Sequence, residues 1–385
     1  MYALLRPFLF ALDPTTAHAA AMLALAPLEH LAPLRAALRG LSTVTRDPRL
    51  EVRKMGLVFP SPLGVAAGLD KNGERARALA ALGFGHVELG TVTAEAQGPN
   101  PPPNLFRLPA DRALVNRLGF PNEGASVVGP RILARRGGVG VPVGVSIGKS
   151  RSVPVEIEAA LPDYVTSIRA VRDAADFLVV NVSSPNTKDL RALQAADVAR
   201  VLFAALMKET AGRPLLVKIA PDLADDAIDA ICMEADRAGL AGVVATNTTV
   251  ARTGLATPAE EIERIGAGGL SGVPLFPRAL AVVKRARTQL GPDACVIGVG
   301  GIHGTDSALA MLQAGADLIQ VYTSFVYEGP FLPRAIARGM LNAIAAESGA
   351  GLADVVGHPR GRAAAGSSPS VRGESVSAAI DSSSK

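Results

Sequence analysis

Short apolar runs recur along the middle of the chain, and amphipathic helical patterns separate them. Most of these runs are apolar at every position, which is typical of strands in a parallel sheet that is covered on both faces. Between two of them, Tyr164, Ile168 and Val171 fall on one face of a predicted helix. Eight strands are predicted, at residues 62–68, 85–90, 141–147, 176–181, 214–219, 241–246, 295–300 and 317–322.

Eight strands that alternate with helices predict an α/β fold, a (β/α)8 TIM barrel, over residues 46–348. A doubly wound open sheet is the competing architecture, and the count of eight favours the barrel. After residue 349 the chain is rich in Ser, Gly and Ala and poor in large apolar residues. Such a segment cannot bury enough surface to order itself, so residues 349–385 are predicted to be a disordered tail.

The amino-terminal segment, residues 1–45, is predicted to be a small helical extension. Its apolar runs, MYALLRPFLFAL and AAAMLALAPL, are shorter than the roughly 18 apolar residues of a membrane span, and no signal cleavage site follows them. Asp13 followed by Pro14 predicts a helix start between the runs. The extension either packs on the barrel as a cap or dips into a bilayer as a monotopic surface, and composition favours neither.

Composition and charge narrow the function only slightly. The net charge is +4, from 39 basic and 35 acidic residues, and no dense run of Lys or Arg suggests a nucleic-acid partner. Cys232 and Cys295 lie in apolar runs, as expected for small buried side chains in a reducing compartment.

The chemistry is expected at the carboxyl ends of the strands, where barrel active sites lie. These ends carry small, polar or cationic residues and no His pair or carboxylate cluster, so no metal site is predicted. The residues concerned are Gly68 with Lys71, Thr91, Ser146, Asn181 with Ser183 and Ser184, Lys218, Thr246 with Asn247, Gly300 with Gly301, and Tyr322 with Thr323.

Glycines and lysines among these residues indicate an anionic ligand. Gly272 and Gly301 lie in glycine-rich loops, whose backbone N–H groups can approach a phosphate. Lys218 interrupts the apolar strand LLVKI, and a cation there is costly unless it meets an anion or a polar partner. The stretch NVSSPNT, residues 181–187, is ambiguous, since its residue types alone favour an ordinary turn.

Nine motifs in order along residues 66–325 carry a family resemblance. They are AAGLDKNGE, LGTVT, FRLPADRALVNRLGFPNEG, NVSSPNT, VKIAPD, ATNTT, GGLSG, GVGGI and VYTSF. Together they resemble dihydroorotate dehydrogenase, the flavin enzyme of pyrimidine synthesis. The sequence LDPTTAH in the amino-terminal extension is similar to the membrane-associated, quinone-using class 2 of that family.

The resemblance implies oxidation of dihydroorotate to orotate with FMN as the cofactor. Ser184 would be the base that accepts the C5 proton, with a relay through water or Thr187, while the C6 hydride passes to FMN. Lys71 would pair with the substrate carboxylate. The substrate site implied in this way comprises Lys71, Asn116, Arg117, Leu118, Gly119, Phe120, Asn181, Asn186, Asn247 and Thr248.

The resemblance also implies where the flavin and the quinone would lie. A membrane quinone would enter between the amino-terminal helices, with His18 and Arg53 as candidate contacts to its head group. We expect a monomer that associates peripherally with the cytoplasmic side of the inner membrane, if the source is bacterial. The implied FMN site comprises Ala67, Gly68, Lys71, Thr91, Ser146, Asn181, Lys218, Thr246, Gly272, Gly301, Tyr322 and Thr323.

The motif GVSIGKS, residues 144–150, departs from the family's usual GVNIGKN. Ser146 and Ser150 replace two asparagines, the first of which contacts flavin in the family, so flavin affinity or potential is expected to differ.

Three alternatives remain on sequence grounds. A class 1 relative would use a cysteine base and lack the extension, contrary to Ser184 and residues 1–40. A tRNA dihydrouridine synthase would need a basic RNA surface and a different catalytic residue. A non-catalytic flavin- or lipid-binding barrel is the third, and the presence of Ser184, Lys71 and Asn186 speaks against it.

Overall fold

The structure is a computed structural model that describes residues 2–41 and 43–356, apart from the side chains of Ala3 and Leu41. The predicted disordered tail therefore lies outside the described residues from position 357 onward. Its first part, residues 349–356, is described and includes a short helix, Leu352–Val356, with Leu352 and Val356 buried. The boundary drawn at residue 349 remains a prediction.

Thirteen strands occur in the described residues. In chain order they are β1 (Val52–Lys54), β2 (Leu57–Phe59), β3 (Leu63–Val65), β4 (His86–Val92), β5 (Leu105–Leu108), β6 (Ala113–Asn116), β7 (Val143–Ile147), β8 (Phe177–Asn181), β9 (Leu215–Ile219), β10 (Gly242–Ala245), β11 (Gly269–Gly272), β12 (Cys295–Val299) and β13 (Leu318–Val321).

Fifteen α-helices accompany these strands in the part of the chain that the structure describes. They are α1 (Tyr2–Ala11), α2 (Pro14–Ala24), α3 (Ala26–His30), α4 (Ala32–Leu41), α5 (Ala76–Ala81), α6 (Ala125–Arg135), α7 (Ile157–Val171), α8 (Ala196–Met207), α9 (Asp225–Arg237), α10 (Ala259–Ile265), α11 (Phe276–Leu290), α12 (Thr305–Gln313), α13 (Thr323–Glu328), α14 (Leu332–Ala346) and α15 (Leu352–Val356).

Eight of the strands close into a parallel barrel in the order β3, β4, β7, β8, β9, β10, β12, β13. They correspond one to one with the eight predicted runs, so the barrel prediction is confirmed. Register places residues of neighbouring strand ends side by side, as with Asn181 of β8 and Lys218 of β9. The outer faces of these strands pack against the helices in one large core that includes Val145, Val180 and Val217.

The amino ends of the barrel strands are closed by the β1–β2 hairpin. Val52 and Phe59 of the hairpin pack with Phe177 and Cys295, the first residues of two barrel strands. This plug of large side chains leaves the carboxyl ends as the end of the barrel that can hold a ligand.

A second sheet stands over the carboxyl ends. Strands β5, β6 and β11 form an antiparallel sheet in which Asn116 of β6 pairs with Gly269 of β11. Leu108, Val115 and Leu270 give it a small core of its own. The sheet brings the motif FRLPADRALVN from one loop next to GGLSG from another, at the same end of the barrel.

The amino-terminal extension consists of helices α1 to α4. The predicted start of α2 is confirmed, because the Asp13 carboxylate accepts hydrogen bonds from the N–H groups of Thr15 and Thr16. Several large apolar side chains of the extension face solvent, among them Leu4 and Phe8, each 75 % exposed, and Leu23 at 70 %. None of the described helices is long and apolar enough to cross a bilayer.

Candidate active site

A cavity at the carboxyl ends of the barrel strands collects nearly all of the predicted site residues. Its walls come from the strand ends and from the β5–β6–β11 sheet above them. The predicted residues that line it are Ala67, Gly68, Lys71, Thr91, Asn116, Leu118, Gly119, Phe120, Asn181, Ser184, Asn186, Lys218, Thr246, Asn247, Thr248, Gly272, Gly301, Tyr322 and Thr323.

Arg117 and Ser146 differ from the prediction, because neither lines this cavity. Arg117 follows Asn116 in extended backbone, where successive side chains point to opposite sides. Its guanidinium donates to the carbonyls of Pro103, Ile265 and Ala267, which hold the loops around it. Arg117 therefore supports the wall from behind while Asn116 faces the cavity.

Ser146 is fully buried below the cavity, and its hydroxyl lies 3.0 Å from the Thr91 hydroxyl. The serine side chain is too short to reach past Thr91. The second departure from the family motif, Ser150, is bound to Asp163 through both its N–H and its hydroxyl, so it holds the loop after β7 onto α7.

These contacts indicate which group donates and which accepts in each hydrogen bond around Thr91. The Asn181 side-chain oxygen accepts from the N–H and the hydroxyl of Ser183, which leaves its amide nitrogen to donate to Thr91. The Ser146 hydroxyl has Thr91 as its one partner among the described residues, and a buried hydroxyl needs an acceptor for its proton. If Ser146 is the donor of this bond, Thr91 accepts from both Ser146 and Asn181 and can direct its own proton toward the cavity that it lines.

Ser184 lies in the loop that follows β8 and is 4 % exposed. Its hydroxyl oxygen accepts a hydrogen bond from the Asn186 N–H at 3.2 Å, across Pro185. The Asn186 side chain donates to the Asn116 side-chain oxygen at 3.2 Å, so the Ser184 loop contacts β6 directly. Asn247, from the loop after β10, donates to the Ser183 hydroxyl at 3.0 Å.

Two lysines supply positive charge to this cavity. Among the described residues, Lys71 and Lys218 form neither a hydrogen bond nor an ion pair. Burial lowers the pKa of Lys71 to about 8, and the charge of the adjacent Asp70 offsets part of that effect. Asp70 itself accepts from the N–H groups of Glu74 and Arg75, which shapes the loop that carries Lys71. Two lysines whose ammonium groups have no hydrogen bond or ion pair to the described protein residues indicate a site for an anionic ligand.

Glycines at one end of the cavity leave the backbone accessible to a ligand. Gly272 and Gly301 both have positive φ, at 103° and 69°. A Cβ on Gly301 would lie 2.6 Å from the Phe276 Cβ, and one on Gly272 would lie 2.4 Å from the Arg112 carbonyl oxygen. The hydroxyls of Thr323 and Ser271 are hydrogen-bonded at 2.8 Å beside them. Hydroxyls and exposed backbone N–H groups of this kind suit a phosphate.

The cavity also includes residues that the sequence did not single out. Ser271 lies within the motif GGLSG on β11, and His303 directly follows the motif GVGGI after β12; their places in or beside the glycine motifs are the signal that could have identified them. Leu105 and Tyr327 extend the cavity toward the amino-terminal helices. Phe10 of α1 packs edge-on against Tyr327, with the two ring centroids 5.2 Å apart.

Arg107 joins the amino-terminal extension to the barrel. Its guanidinium lies 4.7 Å from the ring centroid of Phe10 and donates to the carbonyls of Phe10 and Leu12. His18 of α2 lines a separate cavity that shares Lys71 with the first. Burial, together with the nearby charge of Lys71, lowers the pKa of His18 to about 4, so this imidazole is neutral at physiological pH.

The predicted quinone contact of Arg53 is wrong. Arg53 lies on β1, in the hairpin at the opposite end of the barrel, where it pairs with Glu51 at 2.6 Å in an exposed position. No group of three His, Cys, Asp or Glu side chains that could hold a metal occurs among residues 2–41 and 43–356. Both cysteines are buried and free.

Comparison with known proteins agrees with the fold and with the order of the motifs. The chain matches the family model described as dihydroorotate dehydrogenase over residues 49–344. It is 52% identical over 319 residues to dihydroorotate dehydrogenase (quinone) of Thermobifida fusca, covering 81% of this chain and 84% of the relative. The corresponding protein of Rhodococcus erythropolis is 46% identical over 357 residues, which are 93% of this chain and 99% of the relative.

Among solved structures, a crystal structure of DHODH from Eimeria tenella in complex with ferulenol superposes with a TM-score of 0.77. It is 33% identical and covers 89% of this chain and 95% of its own. With the family model spanning most of the barrel and relatives matching nearly end to end, the chain belongs to the quinone-type dihydroorotate dehydrogenase family.

Proposed function

We propose that the protein oxidises dihydroorotate to orotate in pyrimidine biosynthesis, with FMN as its cofactor and a membrane quinone as its electron acceptor. The observation that carries the proposal is the cavity itself. It combines two unpaired lysines, a buried serine loop and an array of side-chain amides at the open end of the barrel.

FMN suits the residues at one end of this cavity. Gly272, Gly301 and Thr323 would hold its phosphate, since their hydroxyl and backbone donors converge without an acidic side chain among them. Thr91 would donate to an acceptor on the ring, and Lys218 would offset negative charge that develops there. When bound, FMN supplies the capacity to take up a hydride and to pass electrons on singly.

The substrate would lie between the ring site and the amide groups of three loops. Dihydroorotate carries a carboxylate and a cyclic imide with alternating donors and acceptors. Lys71 matches the carboxylate, while Asn116, Asn186 and Asn247 can each donate and accept toward the imide edge. These asparagines hydrogen-bond to one another or to Ser183, which fixes their orientations before a ligand arrives.

Ser184 would act as the base toward the substrate C5 proton. Its oxygen accepts one hydrogen bond from the Asn186 N–H and keeps a lone pair for the incoming proton. A neutral hydroxyl is a weak base, so its own proton must pass onward. Thr187, buried in the same loop, is the proposed next carrier, directly or through water.

The quinone would approach through the amino-terminal helices. Leu105 and Tyr327 form the part of the cavity nearest α1, and burial raises the pKa of the Tyr327 phenol to about 12, so it stays neutral. Arg107, which contacts α1 at this junction, and His18, which lines the neighbouring cavity, are the proposed contacts for a quinone head group.

The exposed apolar side chains of the extension would contact the membrane. Leu4, Leu5 and Phe8 of α1 face solvent, and burying side chains of this size in a bilayer surface is favourable. The protein is accordingly proposed to be a monomer bound peripherally to the cytoplasmic side of the inner membrane of a bacterium.

Acceptor-dependent turnover tests the proposal. Purified full-length protein should carry one FMN and form orotate from dihydroorotate with a short-chain ubiquinone or menaquinone analogue. Fumarate, offered in its place, should support at most a small fraction of that rate. Turnover with fumarate and not with quinone would overturn the acceptor assignment, and protein without flavin would overturn the cofactor assignment.

A further inference from the structure

The side chain of Ser184 is held by few contacts of its own. Its hydroxyl has a single hydrogen bond to protein within the described residues, from the Asn186 N–H at 3.2 Å. A base must nevertheless be kept within hydrogen-bond reach of the proton that it removes. The direction of the Ser184 side chain must therefore be fixed largely by the backbone on either side of it.

Arg191, seven residues further along the same loop, contacts that backbone. Its Nε donates to the carbonyl of Ser183 at 3.2 Å, and this carbonyl belongs to the peptide that joins Ser183 to Ser184. Its Nη2 donates to the carbonyl of Thr248 at 3.1 Å, next to Asn247 in the loop after β10. One planar guanidinium thus connects the backbone of the base to the backbone of the proposed substrate loop.

The third hydrogen-bonding nitrogen of the Arg191 guanidinium, Nη1, donates to Asp222. Nη1 of Arg191 lies 2.8 Å from Oδ2 of this carboxylate, which follows β9. Asp222 also accepts from the hydroxyl of Thr249 and from the N–H of Val250 at 3.1 Å. The acid is therefore held by the β10 loop, and Arg191 closes a ring of contacts between the loops that follow β8, β9 and β10.

A second connection supports the same three-loop arrangement. Gln194, three residues after Arg191, accepts from the Ala220 N–H at 2.9 Å, at the start of the loop after β9. Arg278 donates to the carbonyls of Pro221 and Leu223, the two neighbours of Asp222 in the chain, at 2.8 and 2.6 Å. The loop that presents Asp222 is fixed at both flanks, which makes it a firm anchor for Arg191.

We infer that Arg191, oriented by Asp222, is a positioning residue for the Ser184 base and for the Asn247–Thr248 substrate loop. The inference deepens the proposed function and rests on it. Arg191 does not line the cavity and would touch neither substrate nor flavin. Its effect is to set the plane of the Ser183–Ser184 peptide, and small errors in such placement can slow a reaction by roughly a hundredfold.

A purely structural ion pair would behave differently from a positioning residue. Loss of a structural pair would lower the melting temperature and the flavin content, and would affect every reaction of the enzyme alike. Loss of a positioning residue for the base would slow only the half-reaction in which dihydroorotate reduces the flavin. Reoxidation of the reduced flavin by quinone does not use Ser184 and should be unchanged.

The test compares Arg191→Lys and Arg191→Gln with the parent as flavin-loaded, full-length proteins. Lysine keeps the charge beside Asp222 but cannot donate in three fixed directions. Anaerobic stopped-flow measurements give the rate of flavin reduction by dihydroorotate and the rate of reoxidation by a short-chain quinone. We expect reduction to slow by roughly ten- to a hundredfold in both variants, with reoxidation within twofold of the parent and weaker orotate binding.

Arg285→Gln is the matched control, because Arg285 forms comparable ion pairs with Asp225 and Asp229 on the outer helices. Parent-like reduction by Arg191→Lys would overturn the inference, as would equal slowing of both half-reactions. If neither Arg191 variant folds, Asp222→Asn carries the test, with slower reduction again expected and an unchanged rate contradicting it. A parent whose flavin dihydroorotate cannot reduce would overturn the proposed function and this inference together.

Discussion

Replacing Lys71 by glutamine should weaken binding of orotate and dihydroorotate selectively. Lys71 lines the cavity and forms no hydrogen bond or ion pair among the described residues, so its ammonium group can meet a carboxylate. A hydrogen bond to a charged group contributes about 1.5–3 kcal/mol, which corresponds to a loss of roughly ten- to 150-fold in affinity.

The same lysine predicts a pH dependence with a definite sign. Burial lowers the pKa of Lys71 to about 8, so in the free enzyme its cation is present below pH 8 and is lost as the pH rises through that value. The substrate carboxylate stays ionised throughout. The dissociation constant for orotate should therefore be flat below about pH 7 and should rise above pH 8 in the parent, with this rise absent in Lys71→Gln.

Flavin absorbance changes on orotate titration, recorded from pH 6 to 9.5, would measure both effects. Lys284→Gln, at an exposed position on α11, is the matched control and should bind orotate like the parent. Affinity in Lys71→Gln that equals the parent at pH 7 would refute the assignment of Lys71 to the carboxylate. Equal pH profiles for the two proteins would refute the origin of the pH dependence.

Three further predictions concern the flavin, the fold and the membrane. Ser146→Ala should lower the flavin reduction potential by up to about 30 mV, the equivalent of a tenfold change for a two-electron couple, and should cause no further shift in a Thr91→Val background. The control Ser167→Ala, at a buried serine with no hydrogen-bond partner among the described residues, should leave the potential unchanged. Additive shifts from Ser146→Ala and Thr91→Val would contradict the coupling of the two hydroxyls. Glu29→Ala should lower the free energy of unfolding in urea by about 1–3 kcal/mol, because the buried Glu29 carboxylate accepts hydrogen bonds from the Arg77 and Ala78 N–H groups at the start of α5. Glu29→Gln should lower this free energy less, and an unchanged value in Glu29→Ala would contradict the role of Glu29. The double variant Leu4→Gln, Phe8→Gln should sediment with lipid vesicles at least roughly tenfold less than the parent. The control Val201→Gln, at an exposed position on α8, should sediment like the parent. Undiminished vesicle binding of the double variant would show that α1 is not the membrane surface.

The barrel could be predicted from the sequence because its strands are continuous apolar runs that are easily recognised. Runs such as FLVVN and LLVKI are buried on both faces, so nearly every position is apolar and each strand stands out from its surroundings. The antiparallel sheet over the site was not predicted. Its strands β5, β6 and β11 have four residues each, and the pairing of β6 with β11 joins Asn116 to Gly269, far apart in the chain, which local patterns do not encode.

The site was predicted through its motifs, and the differences arise where direction or side-chain length decides. Arg117 shares a motif with Asn116, but alternation in extended backbone turns it away from the cavity. Ser146 occupies the family position of a longer side chain and ends at Thr91. Arg191 and Asp222 lie outside the conspicuous strand ends, so the contact of Arg191 with the Ser183 carbonyl, and its ion pair with Asp222, become visible only in three dimensions.

Anaerobic mixing of dihydroorotate with the flavin-loaded protein tests the central claim most directly. The account predicts rapid bleaching of the flavin absorbance in the parent and much slower bleaching in Ser184→Ala at neutral pH, with flavin content and orotate affinity close to the parent. Equal bleaching rates in the two proteins would contradict Ser184 as the base. An absence of bleaching in a flavin-loaded parent would contradict dihydroorotate as the substrate.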